Sequence, residues 1–237
     1  MYQFNSRVRY SELGPDKHLT LSAIINYFQD CSTFQSEAVG VGLNYLEEEK
    51  RAWILNSWQI IVEEYPSLGD NLTICTWAYD FKGAYGYRNF LLKNENGKVY
   101  ACANSLWIYM DTENYRIVRI PPQAALPYGC DPKYPMNYAP RKIHLPDNFE
   151  TKESFPVVSY NIDTNNHVNN EQYVQMAECF LPNDFVIGQM RAEYRSSAVL
   201  GDVIVPKVFY NKELCTVMLC NVDNSIYAII EFTRKEY

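Results

Sequence analysis

Residues 163–170 place a carboxylate, a carboxamide and an imidazole within five positions, directly before a predicted helix. Asp163, Asn165 and His167 carry the side-chain types that together activate a water molecule. Histidine is the usual general base near neutral pH, and the other two histidines of the chain have no comparable set of neighbours. Asp163, Asn165 and His167 are therefore the predicted catalytic residues.

The same segment has the features of a turn and a helix cap. Asn and Asp side chains bond nearby backbone groups and tolerate unusual backbone angles, so a purely structural role is the alternative. Asn169 followed three residues later by Gln172 predicts a capping box with Asn in place of Ser or Thr. The helix would open near Asn169 and Asn170, whose backbone N–H groups could bind an oxyanion.

The composition is that of a globular protein of one or two domains, with 237 residues, 47% of them apolar and 21% charged. No apolar run approaches the roughly 20 residues that span a bilayer, so no membrane partner is expected. The first residues lack the apolar core of a secretory signal, which predicts a cytoplasmic protein. The net charge of −7 argues against nucleic acid as a partner.

The seven cysteines are scattered along the chain and form no CxxC pair or Cys/His cluster. Their odd number also argues against a complete set of disulfides. We expect reduced and mostly buried thiols, no metal site and no cofactor.

A proline-rich segment divides the chain. Seven of the 12 prolines fall between Pro121 and Pro146, and a stretch that lacks so many backbone donors is a connection rather than a sheet. We predict a first unit at residues 1–125, a connection at 126–147 and a second unit at 148–237.

The two halves resemble each other. Residues 16–19 with Cys31 match residues 165–168 with Cys179, and each set precedes a predicted amphipathic helix. One face of the first helix has Leu21, Ile24, Ile25, Phe28 and Cys31, and one face of the second has Tyr173, Met176, Ala177 and Phe180. The turns at 68–70 and 200–202 match, as do the hairpin turns at 96–97 and 224–225. The order predicts an α+β fold of two helix-on-antiparallel-sheet units.

These residues as a set resemble the acyl-acyl-carrier-protein (acyl-ACP) thioesterases, the fatty-acid-releasing enzymes of plastids and bacteria, over essentially the whole chain. The strongest match is the family pattern Asp-x-Asn-x-His-Val-Asn-Asn, which fits residues 163–170. Further matching segments are residues 11–16, 69–77, 88–90, 105–111 and 119–121. The resemblance implies a tandem double hotdog, in which each unit is a long helix packed on an antiparallel sheet. It also implies that the first unit binds the acyl chain and the second is catalytic.

The resemblance implies a carboxylate that this chain lacks. Ser197 stands where the family has a Glu, and Ala198 where it often has a Cys. Glu193 lies about 13 Å from Ser197 along a strand at about 3.3 Å per residue, which is too far for direct replacement. Glu193 and Glu178 are therefore predicted to be structural. Ser197, Asn169 and Asn170 are predicted supporting residues.

Two assignments of catalytic roles to these residues remain open. In one, His167 is the general base, Asp163 orients it, and Asn165 holds the water or the thioester carbonyl. In the other, Asp163 is the base or the nucleophile and His167 supports it. A thiolate leaving group needs no strong acid to depart, because the pKa of a thiol is only about 8.5.

The predicted function is hydrolysis of an acyl-ACP thioester, with acyl carrier protein bearing an acyl-phosphopantetheine as the partner. The alternatives are an acyl-CoA thioesterase, a hotdog dehydratase, and a non-catalytic or weakly active acyl-binding protein. Both a monomer and a homodimer are consistent with a double hotdog. Five basic residues near the connection are candidate carrier contacts: Arg116, Arg119, Lys133, Arg141 and Lys142.

Overall fold

In the computed structural model, which describes residues 1–235, the helix predicted in the first half is α1 (Leu21–Ala38). It begins after Thr20, whose side-chain oxygen accepts a hydrogen bond from the N–H of Ala23. The predicted apolar stripe is confirmed, because all of its members are buried: Leu21, Ile24, Ile25, Phe28 and Cys31. This helix packs on strand β3 (Asn71–Lys82) of an antiparallel sheet.

The chain forms two units, one of Met1–Asn56 with Ile60–Tyr138 and the other of Ser57–Gln59 with the chain from Ala139 onward. The first unit contains β1 (Tyr2–Arg7), α1, α2 (Leu43–Glu48), most of β2 (Arg51–Val62), β3, β4 (Tyr85–Lys93), β5 (Val99–Asp111), β6 (Arg116–Ile117) and α3 (Pro122–Ala125). Its strands follow the order β1-β3-β4-β5-β2, with β6 beside β5. Residues 126–147, all within the described part of the chain, contain no strand.

The second unit repeats this plan. It contains β7 (Glu150–Thr151), β8 (Phe155–Pro156), α4 (Asn170–Glu178), β9 (Ile187–Tyr194), β10 (Val203–Tyr210), β11 (Leu214–Cys220) and β12 (Ile226–Arg234). The strand order is β9-β12-β11-β10-β7, with β8 paired to β10, and α4 packs on β12 and β11. Within residues 1–235 no helix is long and apolar enough to cross a membrane.

Helix α4 is shorter than predicted, with nine residues against 18 in α1. Of the predicted face, Tyr173 and Ala177 are buried, whereas Met176 and Phe180 are only half-buried. Phe180 lies beyond the helix end because the last turn tightens, with the N–H of Phe180 bonded to the carbonyl of Ala177. Val174, which is buried, completes the face instead.

The predicted repeat is confirmed in the loops before the two helices. The N–H of Gly14 donates to the carbonyl of His18 at 2.9 Å, and the N–H of Asp163 donates to the carbonyl of His167 at 2.8 Å. The residue before each histidine has a positive φ, 66° in the first loop and 61° in the second. The two loops therefore share one backbone conformation although their side chains differ.

The matching turns later in each half also have the same geometry. Gly69 and Gly201 have φ of 86° and 88°, a region that favours glycine. The carboxylates of Asp70 and Asp202 each accept the N–H of the residue three positions earlier, at 2.9 and 3.0 Å. The same hydrogen bond from backbone to Asp side chain therefore stabilises the turn before β3 and the turn before β10.

The predicted equivalence of Cys31 and Cys179 is wrong. Cys31 lies in the middle of α1 and is fully buried, whereas Cys179 is the exposed residue that caps the end of α4. The difference in helix length removes the correspondence. Aligned from their first residues, the two helices can correspond only over the nine residues of α4, and Cys31 lies beyond that length in α1.

The thiols are free and mostly buried, as predicted. Cys31, Cys75, Cys102, Cys215 and Cys220 are buried, and Cys130 and Cys179 are exposed. Burial raises the pKa of the Cys31 thiol to about 12 and that of Cys215 to about 11. The buried thiols are therefore protonated and unreactive at neutral pH.

Candidate active site

The carboxylate of Asp163 organises the loop that carries the predicted catalytic residues. Its Oδ1 accepts hydrogen bonds from the backbone N–H of Asn165 at 2.8 Å and of His167 at 3.3 Å. This is an Asx turn, in which a short acidic side chain replaces a backbone acceptor. Asp163 and His167 are half-buried and Asn165 is exposed. The structure thus brings the three residues together in one loop.

Within the described residues, one hydrogen bond joins two side chains of this loop. The Nδ2 of Asn165 donates to Oδ2 of Asp163 at 3.5 Å. The imidazole of His167 has no hydrogen-bond partner among residues 1–235, so the expected contact between it and the Asp163 carboxylate is not formed. The carboxylate bonds the backbone instead, because the tight turn directs it toward the N–H groups. The imidazole remains available to a water molecule or a ligand.

Helix α4 opens directly after this loop. Asn169 is the N-cap residue as predicted, but its side chain accepts the N–H of Glu171 rather than that of Gln172. The predicted capping box is therefore wrong, because the Gln172 amide is bonded to Asn161 and Glu171 instead of reaching back. The N–H of Asn170 has no partner within the described chain. It is an unbonded donor at the positive end of a helix.

Ser197 lies in a segment that is fixed beside this loop. The N–H of Val168, next to His167, donates to the carbonyl of Ala198 at 2.9 Å. The N–H of Ala198 in turn donates to the hydroxyl of Tyr173 on α4 at 2.7 Å. Ser197 itself is exposed. The residue at the family's Glu position is thus close to the predicted site in space, 30 residues after the histidine.

From the sequence, Tyr173 is predicted only as a residue of the buried helix face. Its hydroxyl also anchors the segment that contains Ser197. Burial raises the pKa of Tyr173 to about 12, opposed by the hydrogen bond from Ala198, so the hydroxyl is neutral. The sequence could indicate that the hydroxyl of a buried tyrosine needs a hydrogen-bond partner. It could not identify that partner, because Ala198 is 25 residues away.

Of the other carboxylates in this unit, Glu193 is structural as predicted. Its Oε1 accepts the Nε–H of Arg195 at 3.1 Å, and its Oε2 accepts the N–H of Ile143 at 3.2 Å. Glu171 was not predicted as a buried residue; it lies in the first turn of α4 and is only 4% exposed. Its Oε2 accepts the side-chain amide of Gln172 at 2.8 Å. A glutamate in a first turn is typical of helix starts, so the sequence did not indicate its burial.

Comparison with known families gives two adjacent matches. Residues 1–128 match the model described as the acyl-ACP thioesterase N-terminal domain, and residues 145–217 match that of the acyl-ACP thioesterase C-terminal domain. The chain is 29% identical to a chloroplastic acyl-[acyl-carrier-protein] hydrolase of Cuphea viscosissima, over 70% of this chain and 43% of the relative. It is 26% identical to a chloroplastic dodecanoyl-[acyl-carrier-protein] hydrolase of Cinnamomum camphora, over 83% of this chain and 56% of the relative. The chain spans about half the length of these curated relatives.

Solved structures show the same fold. An acyl-ACP thioesterase from Bacteroides thetaiotaomicron superposes with a TM-score of 0.90 at 18% identity, covering 98% of this chain and 97% of that one. The 12:0-ACP thioesterase from Umbellularia californica superposes with a TM-score of 0.86 at 19% identity, covering 99% and 96%. The predicted tandem hotdog fold is therefore confirmed. Together with the two domain matches, which cover most of its length, this shows that the chain belongs to the acyl-ACP thioesterase family.

Proposed function

We propose that this protein hydrolyses the thioester of an acyl group carried on acyl carrier protein and releases a free fatty acid. The observation that carries the proposal is the loop in which Asp163 fixes Asn165 and His167 directly before the unbonded N–H of Asn170. A base, a polar amide and an oxyanion donor then lie within eight residues of one another. These are the groups that acyl transfer to water requires.

In the proposed mechanism, the imidazole of His167 accepts a proton from a water molecule, and the water oxygen attacks the thioester carbonyl carbon. The negative charge on the carbonyl oxygen is stabilised by the N–H of Asn170 and the amide of Asn165. The C–S bond then breaks, the fatty acid forms, and the pantetheine thiolate takes the proton from the imidazolium. General base catalysis of this kind contributes a factor of about 10² to 10⁴ in rate.

Asp163 acts in this proposal as a positioning residue, because its Oδ1 already accepts two backbone N–H groups. The alternative, in which Asp163 is the base or nucleophile, would use its Oδ2, whose contact with Asn165 is long at 3.5 Å. Asp163→Asn distinguishes the two. Its amide oxygen still accepts the two N–H groups, so a positioning role predicts a smaller loss of kcat than in His167→Ala. A catalytic role for the carboxylate predicts an equal or larger loss.

The first test is fatty-acid release by the purified protein from a panel of acyl-ACPs and acyl-CoAs. We expect release to fall at least about 10²-fold in His167→Ala. The matched control is His144→Ala, which changes an exposed histidine elsewhere in the same unit and should leave the rate unchanged. Release from neither carrier class would refute the proposal. Release from acyl-CoAs but not from acyl-ACPs would indicate that coenzyme A, and not acyl carrier protein, carries the acyl group of the substrate.

The exposed serine at position 197 favours a second candidate, a weakly active or non-catalytic acyl-binding protein. A serine cannot accept a proton or carry charge as a carboxylate does. Ser197→Glu tests this candidate, because its position beside the loop would supply the carboxylate that the family has there. A gain in kcat together with weak wild-type turnover would support the second candidate. No gain, with rapid wild-type turnover, would contradict it.

A further inference from the structure

A carboxylate is buried at the start of α4, directly after the proposed catalytic loop. Glu171 is the second residue of this helix and is only 4% exposed. The second residue of α1 is Ser22, which is half-buried and uncharged. The repeated fold therefore does not require an acid at this position. A carboxylate is seldom buried without a partner of opposite charge, because the loss of its water is costly.

Neither helix capping nor an ion pair accounts for the burial of Glu171. An acidic side chain in a first turn stabilises a helix by its charge or by accepting an N–H group at the helix start. In α4 the N-cap side chain already has this role, because Oδ1 of Asn169 accepts the N–H of Glu171 at 3.0 Å. Within residues 1–235, no backbone N–H and no lysine, arginine or histidine bonds to the Glu171 carboxylate.

A chain of amide hydrogen bonds orients this carboxylate. Nδ2 of Asn161 donates to Oε1 of Gln172 at 2.8 Å, and Nε2 of Gln172 donates to Oε2 of Glu171 at 2.8 Å. Asn161 is itself buried, and its carbonyl accepts the N–H of the N-cap residue Asn169 at 2.9 Å. One carboxylate oxygen is thus tied to the start of the helix. The other, Oε1, accepts no hydrogen bond from residues 1–235.

The carboxylate of Glu171 lies at the end of α4 that follows the loop. Helical side chains tilt toward the N-terminus, so this glutamate points back toward the residues that precede the helix. The hydroxyl of Tyr194, on β9, donates to the carbonyl of Asn170 at 3.0 Å. Burial raises the pKa of Tyr194, and the nearby charge of Glu171 raises it further. The carboxylate is therefore close to the peptide group of Asn170, the residue that supplies the proposed oxyanion donor.

We propose that Glu171 is a catalytic residue, whose Oε1 accepts a hydrogen bond from the water that attacks the thioester. This role rests on the proposed hydrolysis and adds to it a carboxylate that Ser197 does not supply. One proton of the water passes to the imidazole of His167, while the second O–H donates to Glu171 and stays on the oxygen that enters the fatty acid. A hydrogen bond to a charged acceptor is roughly twice as strong as one to a neutral acceptor, so it orients and polarises the water.

The test compares the wild type with two variants, Glu171→Gln and Glu171→Leu. Both remove the charge at similar side-chain volume, and the new glutamine can still accept the amide of Gln172. In Glu171→Leu that amide keeps its contact with Oε1 of Gln175 at 3.2 Å. Loss of a buried charge without a counter-ion is neutral or stabilising, so the Tm should not fall. We expect kcat for fatty-acid release to fall at least about tenfold in both variants, with KM changed by less than about twofold.

The matched control is Glu153→Gln, which removes an exposed acid of the second unit and should leave kcat and Tm unchanged. A purely structural role for Glu171 predicts the reverse pattern, a lower Tm with an unchanged kcat. A Tm below that of the wild type in both variants, or a kcat within about twofold of the wild type in either, would overturn the proposal. If the wild type itself releases no fatty acid from any carrier, the thioesterase proposal fails and the role of Glu171 fails with it. The two failures are distinct, because only the first occurs with wild-type turnover.

Discussion

Tyr173→Phe is the most direct test of how the second unit holds its site together. The substitution removes one oxygen atom, which accepts the N–H of Ala198 at 2.7 Å. Tyr173 is 2% exposed and Ala198 is fully buried, so water cannot replace the lost acceptor. A buried N–H left without a partner costs about 1–3 kcal/mol. For a chain of this size, that corresponds to a fall in Tm of about 2–12 °C.

The assay combines thermal unfolding with amide hydrogen exchange. The Ala198 amide should exchange faster in Tyr173→Phe, since its acceptor is gone, and kcat should fall because the carbonyl of Ala198 also accepts the N–H of Val168 beside the proposed catalytic loop. Tyr160→Phe is the matched control, since Tyr160 is 75% exposed and should give no change. A Tm and an Ala198 exchange rate equal to those of the wild type would refute the reasoning.

The pH dependence of the Tyr173→Phe effect has a definite sign. Burial raises the pKa of Tyr173 to about 12 in the folded protein, whereas in the unfolded chain it is about 10. A raised pKa contributes stability that is fully present below the unfolded value and is lost as the pH rises toward the folded value. The difference in stability between wild type and variant should therefore be constant up to about pH 10 and decrease above it.

Iodoacetamide at neutral pH should modify Cys130 and Cys179 in the native protein and the five buried thiols only after unfolding, as counted by mass spectrometry; rapid modification of a third thiol would contradict this. Gly201→Ala should lower the free energy of unfolding by about 1–2 kcal/mol, because φ at this position is 88° and an L side chain is strained there. No atom lies within 4 Å of the added methyl group, so an unchanged urea midpoint would disprove a backbone effect. Arg191→Met leaves Glu231, which is 8% exposed, without its ion pair at 2.7 Å and should cost about 3–5 kcal/mol. Adding Glu231→Leu should recover the part of that loss that comes from the unpaired carboxylate, and equal stability of the single and double variants would contradict a cost of the unpaired carboxylate.

Local patterns in the sequence predicted the elements that depend on a few neighbouring residues. The apolar stripe of α1 is visible because 3.6-residue periodicity is a local property, and the turns at Gly69 and Gly201 are visible because glycine supplies their positive φ. Pro182 predicts that α4 ends before it, which is confirmed, but the exact end at Glu178 was not predicted, because the helix stops before the apolar pattern does. Its last turn tightens ahead of Pro182, and no residue pattern specified that point.

The candidate site was predictable in its composition and not in its contacts. Asp163, Asn165 and His167 are close in sequence, so a turn was certain to bring them together. The bonds that Asp163 makes were not evident, because the same carboxylate could have reached the imidazole or the backbone. The carboxylate accepts the backbone N–H groups because the tight Asx turn places them beside it.

The sequence by itself determined the two-unit plan, the first helix face, the repeated turns and the residues of the loop at 163–170. Only the tertiary structure decided that Tyr173 bonds Ala198 across 25 residues, that Ser197 lies beside the loop, and that Arg88 is buried with no carboxylate partner among residues 1–235. The physical reason is the distance along the chain over which each kind of interaction acts. Backbone propensity, periodicity and turn chemistry act over a few residues, whereas these contacts arise when strands and helices distant in sequence pack and exclude water from groups that must then find partners in the protein.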